Sequence, residues 1–181
     1  MKKTFFTWII IIFATFCLAL PVNAASISTE NIQVLHPQAS NTLKIGKETF
    51  SYKILTGENA LETMSTTQIT QPSGSDGLLW NKHILQTPEE VYIAEGDFEF
   101  IFSQSNKKTQ ASPGDVVLIP AGTSFGFRHI SKGQGTVVVV DRSSALPDTL
   151  VEIDNSENKN REPDIQTISS IANKYGIEFL N

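Results

Sequence analysis

The chain has 181 residues, 40% of them hydrophobic, with 14 Lys and Arg against 19 Asp and Glu, 11 Gly, 8 Pro and a single Cys. That length suits one globular domain with a sizeable core. A formal net charge of -5 without any basic run argues against nucleic acid or an anionic membrane surface as partner, and three histidines limit histidine-rich metal chemistry.

Residues 1–24 read as an export signal. Lys2 and Lys3 make a positive start, Phe5 to Leu20 is an apolar run, Pro21 breaks it, and Val22-Asn23-Ala24 places small residues for cleavage after Ala24. A membrane-spanning helix wants about 20 apolar residues and would leave the cleavage triplet unexplained. Cys17 leaves with the signal, as do Lys2 and Lys3, so 12 of the 14 basic residues then face all 19 acidic ones. A mature chain without cysteine excludes disulfide frameworks, thiolate zinc sites and cysteine nucleophiles. No other segment is long and apolar enough to span a membrane, so the mature protein is expected outside the cytoplasm, in a periplasm or in the medium.

After a polar arm over residues 25–41, which includes His36, strand signals begin. Thr49 to Thr56 and Leu61 to Gln71 are rich in β-branched and aromatic residues. A Pro/Ser/Gly loop from Gln71 to Gly77 follows, then Leu78 to Leu85, Val91 to Glu95, Asp97 to Ser103, Asp115 to Ile119, Ser124 to Ile130 and Thr136 to Asp141. Phe98, Phe100 and Phe102 share one face, while Val137 to Val140 is apolar on both. Short strands at this spacing, one-sided and two-sided together, predict two sheets closed against each other. Residues 155–163 read as a solvated linker. Asp164 can then cap a helix with Ile165, Ile168, Ile171, Ala172 and Tyr175 at helical spacing, closed by Gly176 and followed by an apolar tail, Ile177 to Leu180. The expected organisation is a signal over 1–24, an arm over 25–41, a β-barrel over 42–154, a linker over 155–163, and a helix and tail over 164–181 packed on the barrel.

Gly96-Asp97 sits between two apolar strands, where a tight turn needs a residue free to take positive φ, and Pro113-Gly114 and Pro120-Ala121-Gly122 bracket Val116 to Ile119 in the same way. The spacing of these residues resembles the two signature motifs of the cupins. Gly77, His83, Glu89 and Gly96 fall on the first motif, with Leu85 in place of its second histidine. Gly114, Pro120 and Gly122 fall on the second, with Phe125 in place of the histidine and His129 in place of the asparagine. The tail resembles the C-terminal helix of small single-domain cupins, type 2 and quercetin-dioxygenase-like. The resemblance implies an all-β fold, the double-stranded β-helix or jelly-roll barrel with a C-terminal α-helix, and homodimerisation through sheet edges.

In cupins the two first-motif histidines, the glutamate and the second-motif histidine hold a transition metal. Here Leu85 and Phe125 replace two of the four, leaving His83 and Glu89 as an incomplete metal pair that implies either no cofactor or a weakly held divalent ion. His129 shares the parity of Phe125 but lies roughly 13 Å along the strand at about 3.3 Å per residue, which suits a core histidine. A hydrogen bond from His83 to Glu89 is expected, and such a pair could serve as a metal-free general base. No catalytic residue is identified beyond that. The leading expectation is an exported cupin with a degraded metal site that binds a small aromatic or amphipathic molecule in a pocket lined by His83, Leu85, Glu89, Phe125 and Phe127. A divergent metal-dependent dioxygenase using His83 and Glu89, and a structural or interaction cupin dimer, are the alternatives. No nucleic acid and, after signal cleavage, no membrane are expected as partners.

Overall fold

The computed structural model describes residues 40–56, 63–74, 76–102, 107–156 and 164–180. Eleven strands are found among them: β1 (Asn41–Ile45), β2 (Glu48–Leu55), β3 (Met64–Pro72), β4 (His83–Leu85), β5 (Glu89–Glu95), β6 (Phe98–Phe102), β7 (Lys107–Ala111), β8 (Val116–Ile119), β9 (Ser124–His129), β10 (Gln134–Asp141) and β11 (Ile177–Phe179). Two helices accompany them, α1 (Ala145–Asn155) and α2 (Ile165–Lys174). The expected export signal, His36, most of the arm and positions 157–163 of the linker lie outside the described residues.

One antiparallel sheet runs β1-β2-β3-β10-β5-β8 and the other β11-β4-β9-β6-β7. The pairs β3/β10, β4/β9, β5/β8 and β6/β7 are nested about the last of them, so a long two-stranded ribbon is rolled up, and β5/β10 and β6/β9 close the roll. This is the expected cupin jelly roll with a C-terminal helix. Period-2 alternation sets what faces inward: Phe50 and Tyr52 on β2, Ile69 on β3, Val91 and Ile93 on β5, Phe98 and Phe100 on β6, Phe125 and Phe127 on β9, and Val137 and Val139 on β10 are all buried. Each fully buried Phe removes enough apolar surface to stabilise the fold by about 1.5–3 kcal/mol.

The C-terminal helix forms as the sequence predicts. The Asp164 side chain accepts from the Thr167 N–H at 2.9 Å, Ile168, Ile171 and Ala172 are buried, and Gly176 takes φ 80° beyond the C-cap. The apolar tail then becomes β11 and pairs with β4, laying Phe179 beside His83 and Ile177 beside Leu85.

Several elements differ from expectation. A single helix is expected, yet α1 also forms at the end of the barrel segment. Leu146, Leu150 and Ile153 recur at spacings of four and three and are buried, while Pro147 stands in the first turn, where its missing N–H removes no helical bond. The strand expected over Leu78 to Leu85 is broken: Leu78–Trp80 is a 3-10 turn, and β4 proper has three residues. β1 and β7 are further strands, both largely exposed sheet edges.

Candidate functional site

β4 presents His83 and Leu85 to the interior, as their shared parity requires. His83 is 1% exposed and pairs across to Phe125 on β9. Its ring lies 4.4 Å from that of Phe125 and 5.4 Å from that of Phe179, nearly parallel to the latter. His83 Nδ1 lies 3.0 Å from the Asn81 carbonyl oxygen. A carbonyl can only accept, so Nδ1 carries the proton and Nε2 keeps its lone pair. Burial lowers the His83 pKa to about 4, against the opposing effect of the Asn81 bond, so the ring is neutral at physiological pH. Among the described residues, no hydrogen-bond partner meets Nε2.

Glu89 opens β5 and stands between Ile119 on β8 and Asp141 on β10. It is 2% exposed, and neither carboxylate oxygen has a hydrogen-bond partner. Burial, reinforced by the charge of Asp141, raises its pKa to about 8. Glu89 is therefore mostly protonated at neutral pH and can offer an O–H donor. Asp141 is differently placed, accepting from the hydroxyls of Thr87 at 2.6 Å and Ser143 at 2.5 Å.

The expected His83–Glu89 hydrogen bond is not formed: Asn81 takes the ring N–H, and both Glu89 oxygens are without partners. With no carboxylate to orient the imidazole and a pKa near 4, the metal-free base has lost its supporting interaction. The residues also do not fit the metal that the resemblance implies. Two donors remain where three protein ligands are the working minimum, Leu85 and Phe125 are apolar and buried, and Phe125 lies against the His83 ring. Among the described residues no group of three His, Cys, Asp or Glu side chains could hold an ion.

His129 occupies the other end of β9 and is the core histidine expected. Its backbone N–H donates to Gln71 Oε1 at 2.9 Å, its Nε2 accepts from the Ser131 hydroxyl at 2.8 Å, and its Nδ1–H points to the Pro72 carbonyl at 3.4 Å. Ser131 Oγ accepts in turn from the Asp97 N–H at 2.9 Å. Gly96, with φ 77°, is fixed by this packing as well as by its turn, since a Cβ there would stand 2.7 Å from His129 Nε2.

All five residues expected to line the pocket face the barrel interior and are buried. Phe125 and Phe127 stack with ring centroids 6.5 Å apart, and Phe100 continues the file at 5.4 Å from Phe127. A described cavity of about 350 Å³ lies elsewhere, among Ile45, Lys47, Glu48, Asp76, Asn81 and Ile168, and none of the five lines it. Glu48 and Gln71 escape sequence reasoning; the one hint is a buried-parity Glu opening a strand otherwise apolar on that face.

No family model matches the chain, and no curated protein matches it. Among solved structures, Fe(II) HppE in complex with substrate matches at 11% identity and a TM-score of 0.50, over 61% of this chain and 60% of that one. The polyketide cyclase RemF from Streptomyces resistomycificus matches at 17% identity and 0.45, over 61% and 79%. KdgF from Halomonas sp. matches at 15% and 0.46, over 62% and 94%. The likeness to HppE, of whose length the chain spans about three fifths, shows the shared fold alone.

Proposed function

We propose that this chain is an exported cupin that binds a small aromatic molecule inside the barrel without a resident metal. The observation supporting this reading is the Glu89 carboxyl, buried with neither oxygen hydrogen-bonded among the described residues. A buried polar group without a partner costs about 1–3 kcal/mol, and a ligand that satisfies the Glu89 carboxyl recovers that cost on binding. His83 would accept from a ligand hydroxyl, protonated Glu89 would donate to a ligand carbonyl, and Phe125, Phe127 and Leu85 would cover the ring. Entry requires the Phe125 side chain to change rotamer, because it now lies against His83.

Salicylaldehyde, an aromatic ring with adjacent hydroxyl and carbonyl groups, is a direct probe. Calorimetric titration should show saturable binding that weakens about tenfold or more in His83→Ala and in Glu89→Ala, the effect of losing one hydrogen bond of about 1.4 kcal/mol each. Saturable binding unchanged in both variants, or none at all, contradicts the reading.

A second reading, an interaction module that pairs with its own copy, is favoured by one surface. β8 is a sheet edge whose Val116 and Leu118 are 55% and 68% exposed, and Tyr92 on the adjoining β5 is 44% exposed. An uncovered apolar edge strand favours pairing with a second chain. Light scattering that gives a dimer in the wild type and a monomer in Leu118→Lys supports it; a wild-type monomer across micromolar concentrations removes it.

A further inference from the structure

β4, the strand that carries His83, has a neighbour on each side: β9 and, from the C-terminal segment, β11. His83 therefore stands opposite Phe125 on one side and Phe179 on the other. The Leu180 N–H donates to the Lys82 carbonyl at 2.8 Å. That makes Lys82 and Leu180 a hydrogen-bonded pair of the antiparallel ladder and His83 and Phe179 a non-hydrogen-bonded one, the kind in which facing side chains stand closest. The two rings stack as this register requires, with centroids 5.4 Å apart and planes 29° from parallel. Phe179 is 7% exposed although β11 is an edge strand.

The tail has its own anchors. α2 buries Ile168, Ile171 and Ala172, Tyr175 donates its hydroxyl to Glu152 of α1 at 2.8 Å, and Gly176 turns the chain with φ 80° into β11, whose Ile177 is buried beside Leu85. Phe125 has a different part to play. Its ring lies 4.4 Å from that of His83, and it is the ring that changes rotamer to admit a ligand. Of the Asn81 carbonyl, Phe125 and Phe179, which hold the imidazole, the first and the last then remain. A hydrogen bond through Nδ1 alone leaves the ring free to rock about the N–H···O line. A second ring stacked on its face removes that freedom.

We propose that Phe179 is a positioning residue of the barrel site: with Asn81 it keeps the His83 imidazole aimed into the barrel while Phe125 moves aside, so that the C-terminal tail is part of the binding machinery. The proposal rests on the barrel reading above and extends it to a residue outside the jelly roll. It also couples the two parts, since a ligand on His83 and a docked β11 favour each other by the same factor.

The test is nitrogen-15 NMR of the histidine rings of the full chain at neutral pH, where His83 is uncharged, its signals assigned by their loss in His83→Ala. Phe125→Leu, which stands for the open state without emptying the core, should keep Nδ1 as the single protonated nitrogen. Phe125→Leu/Phe179→Ala should show His83 averaging between its two tautomers, and Phe125→Leu/Phe179→Tyr should restore the single form. Calorimetric titration with salicylaldehyde reads the same role on binding. Phe179→Ala and Phe179→Leu should each weaken it about fivefold and Phe179→Tyr by under about twofold, the effect of an aromatic contact beyond its buried area. The proposal is overturned if Phe125→Leu/Phe179→Ala keeps the single tautomer, or if Phe179→Leu binds as tightly as Phe179→Tyr, the result of a purely structural role. A wild type that binds no salicylaldehyde removes the barrel reading, and the tautomer comparison then decides the positioning role on its own.

Discussion

Two buried histidines sit in the barrel, one toward each end of the β9 register, and their surroundings are opposite. Around His129 the polar atoms form a connected chain from the Asp97 N–H through Ser131 to the ring, with Gln71 on the backbone and Gly96 and Gly135 pressed against the imidazole. Around His83 the one hydrogen bond found among the described residues joins Nδ1 to the Asn81 carbonyl, and the interior carboxyl of Glu89, on the other sheet, has no hydrogen-bond partner among them. The two rings carry the same proton, on Nδ1, and differ in what meets the other nitrogen. A satisfied network rigidifies a core; an unsatisfied one is retained where something else completes it. The comparison therefore separates a satisfied network at the His129 end from an unsatisfied interior at the other, and it is on the latter that the proposed binding rests.

The largest expected effect is on pH-dependent stability at the His83 end. Glu89 has its pKa raised from 4.5 to about 8 in the folded chain, so the folded state holds a proton that the unfolded state releases. Stability should be greatest below pH 4.5 as far as this group is concerned, fall as pH rises toward 8, and level off above. At about 1.4 kcal/mol per pH unit the loss is of order 5 kcal/mol. Urea titrations at stepped pH read it, and Glu89→Gln should flatten the slope; an equal slope in the variant would break the assignment of Glu89 as an uncompensated buried acid.

At the His129 end the expected losses come from packing and from bonds. A Cβ on Gly135 would stand 2.4 Å from His129 Cδ2, so Gly135→Ala should cost about 3 kcal/mol, the upper part of the usual overpacking range. Ser131→Ala removes the link between Asp97 and His129 and should cost about 1–2 kcal/mol. The smallest effect lies outside the comparison and calibrates it: Asp164→Ala, the loss of a helix N-cap, should cost about 1 kcal/mol. Chemical denaturation ranks all three, and a Ser131→Ala loss smaller than the cap loss would weaken the contrast between the two ends.

The turns were the most legible part of the fold. Gly77, Gly96, Gly114 and Gly122, placed by spacing, all take positive φ, because a side-chain-free residue is the cheapest way to reverse the chain there. β1 and β7 were not legible, since Asn-Thr-Leu-Lys-Ile and Lys-Lys-Thr-Gln-Ala put mostly polar, exposed side chains on edge strands, whose identity comes from pairing with β2 and β6. α1 carried its apolar spacing in Leu146, Leu150 and Ile153 but begins next to a proline directly after a strand. At the site, the shared parity of His83 and Leu85 puts both on the buried face of β4. What parity cannot say is which polar atom reaches which. The capture of His83 by Asn81 is set by the path of the chain after the Leu78–Trp80 turn, and the convergence of Glu48, Gln71 and Gly77 joins two strands and a loop far apart in sequence.

The central claim is that the His83 end binds an organic molecule and holds no resident metal, and elemental analysis by plasma mass spectrometry tests it most directly. Protein purified without a histidine tag should carry transition metal far below one atom per chain, with the same background in His83→Ala. About one atom per chain, lost in His83→Ala, would contradict the account and return the chain to the metal-dependent oxygenases.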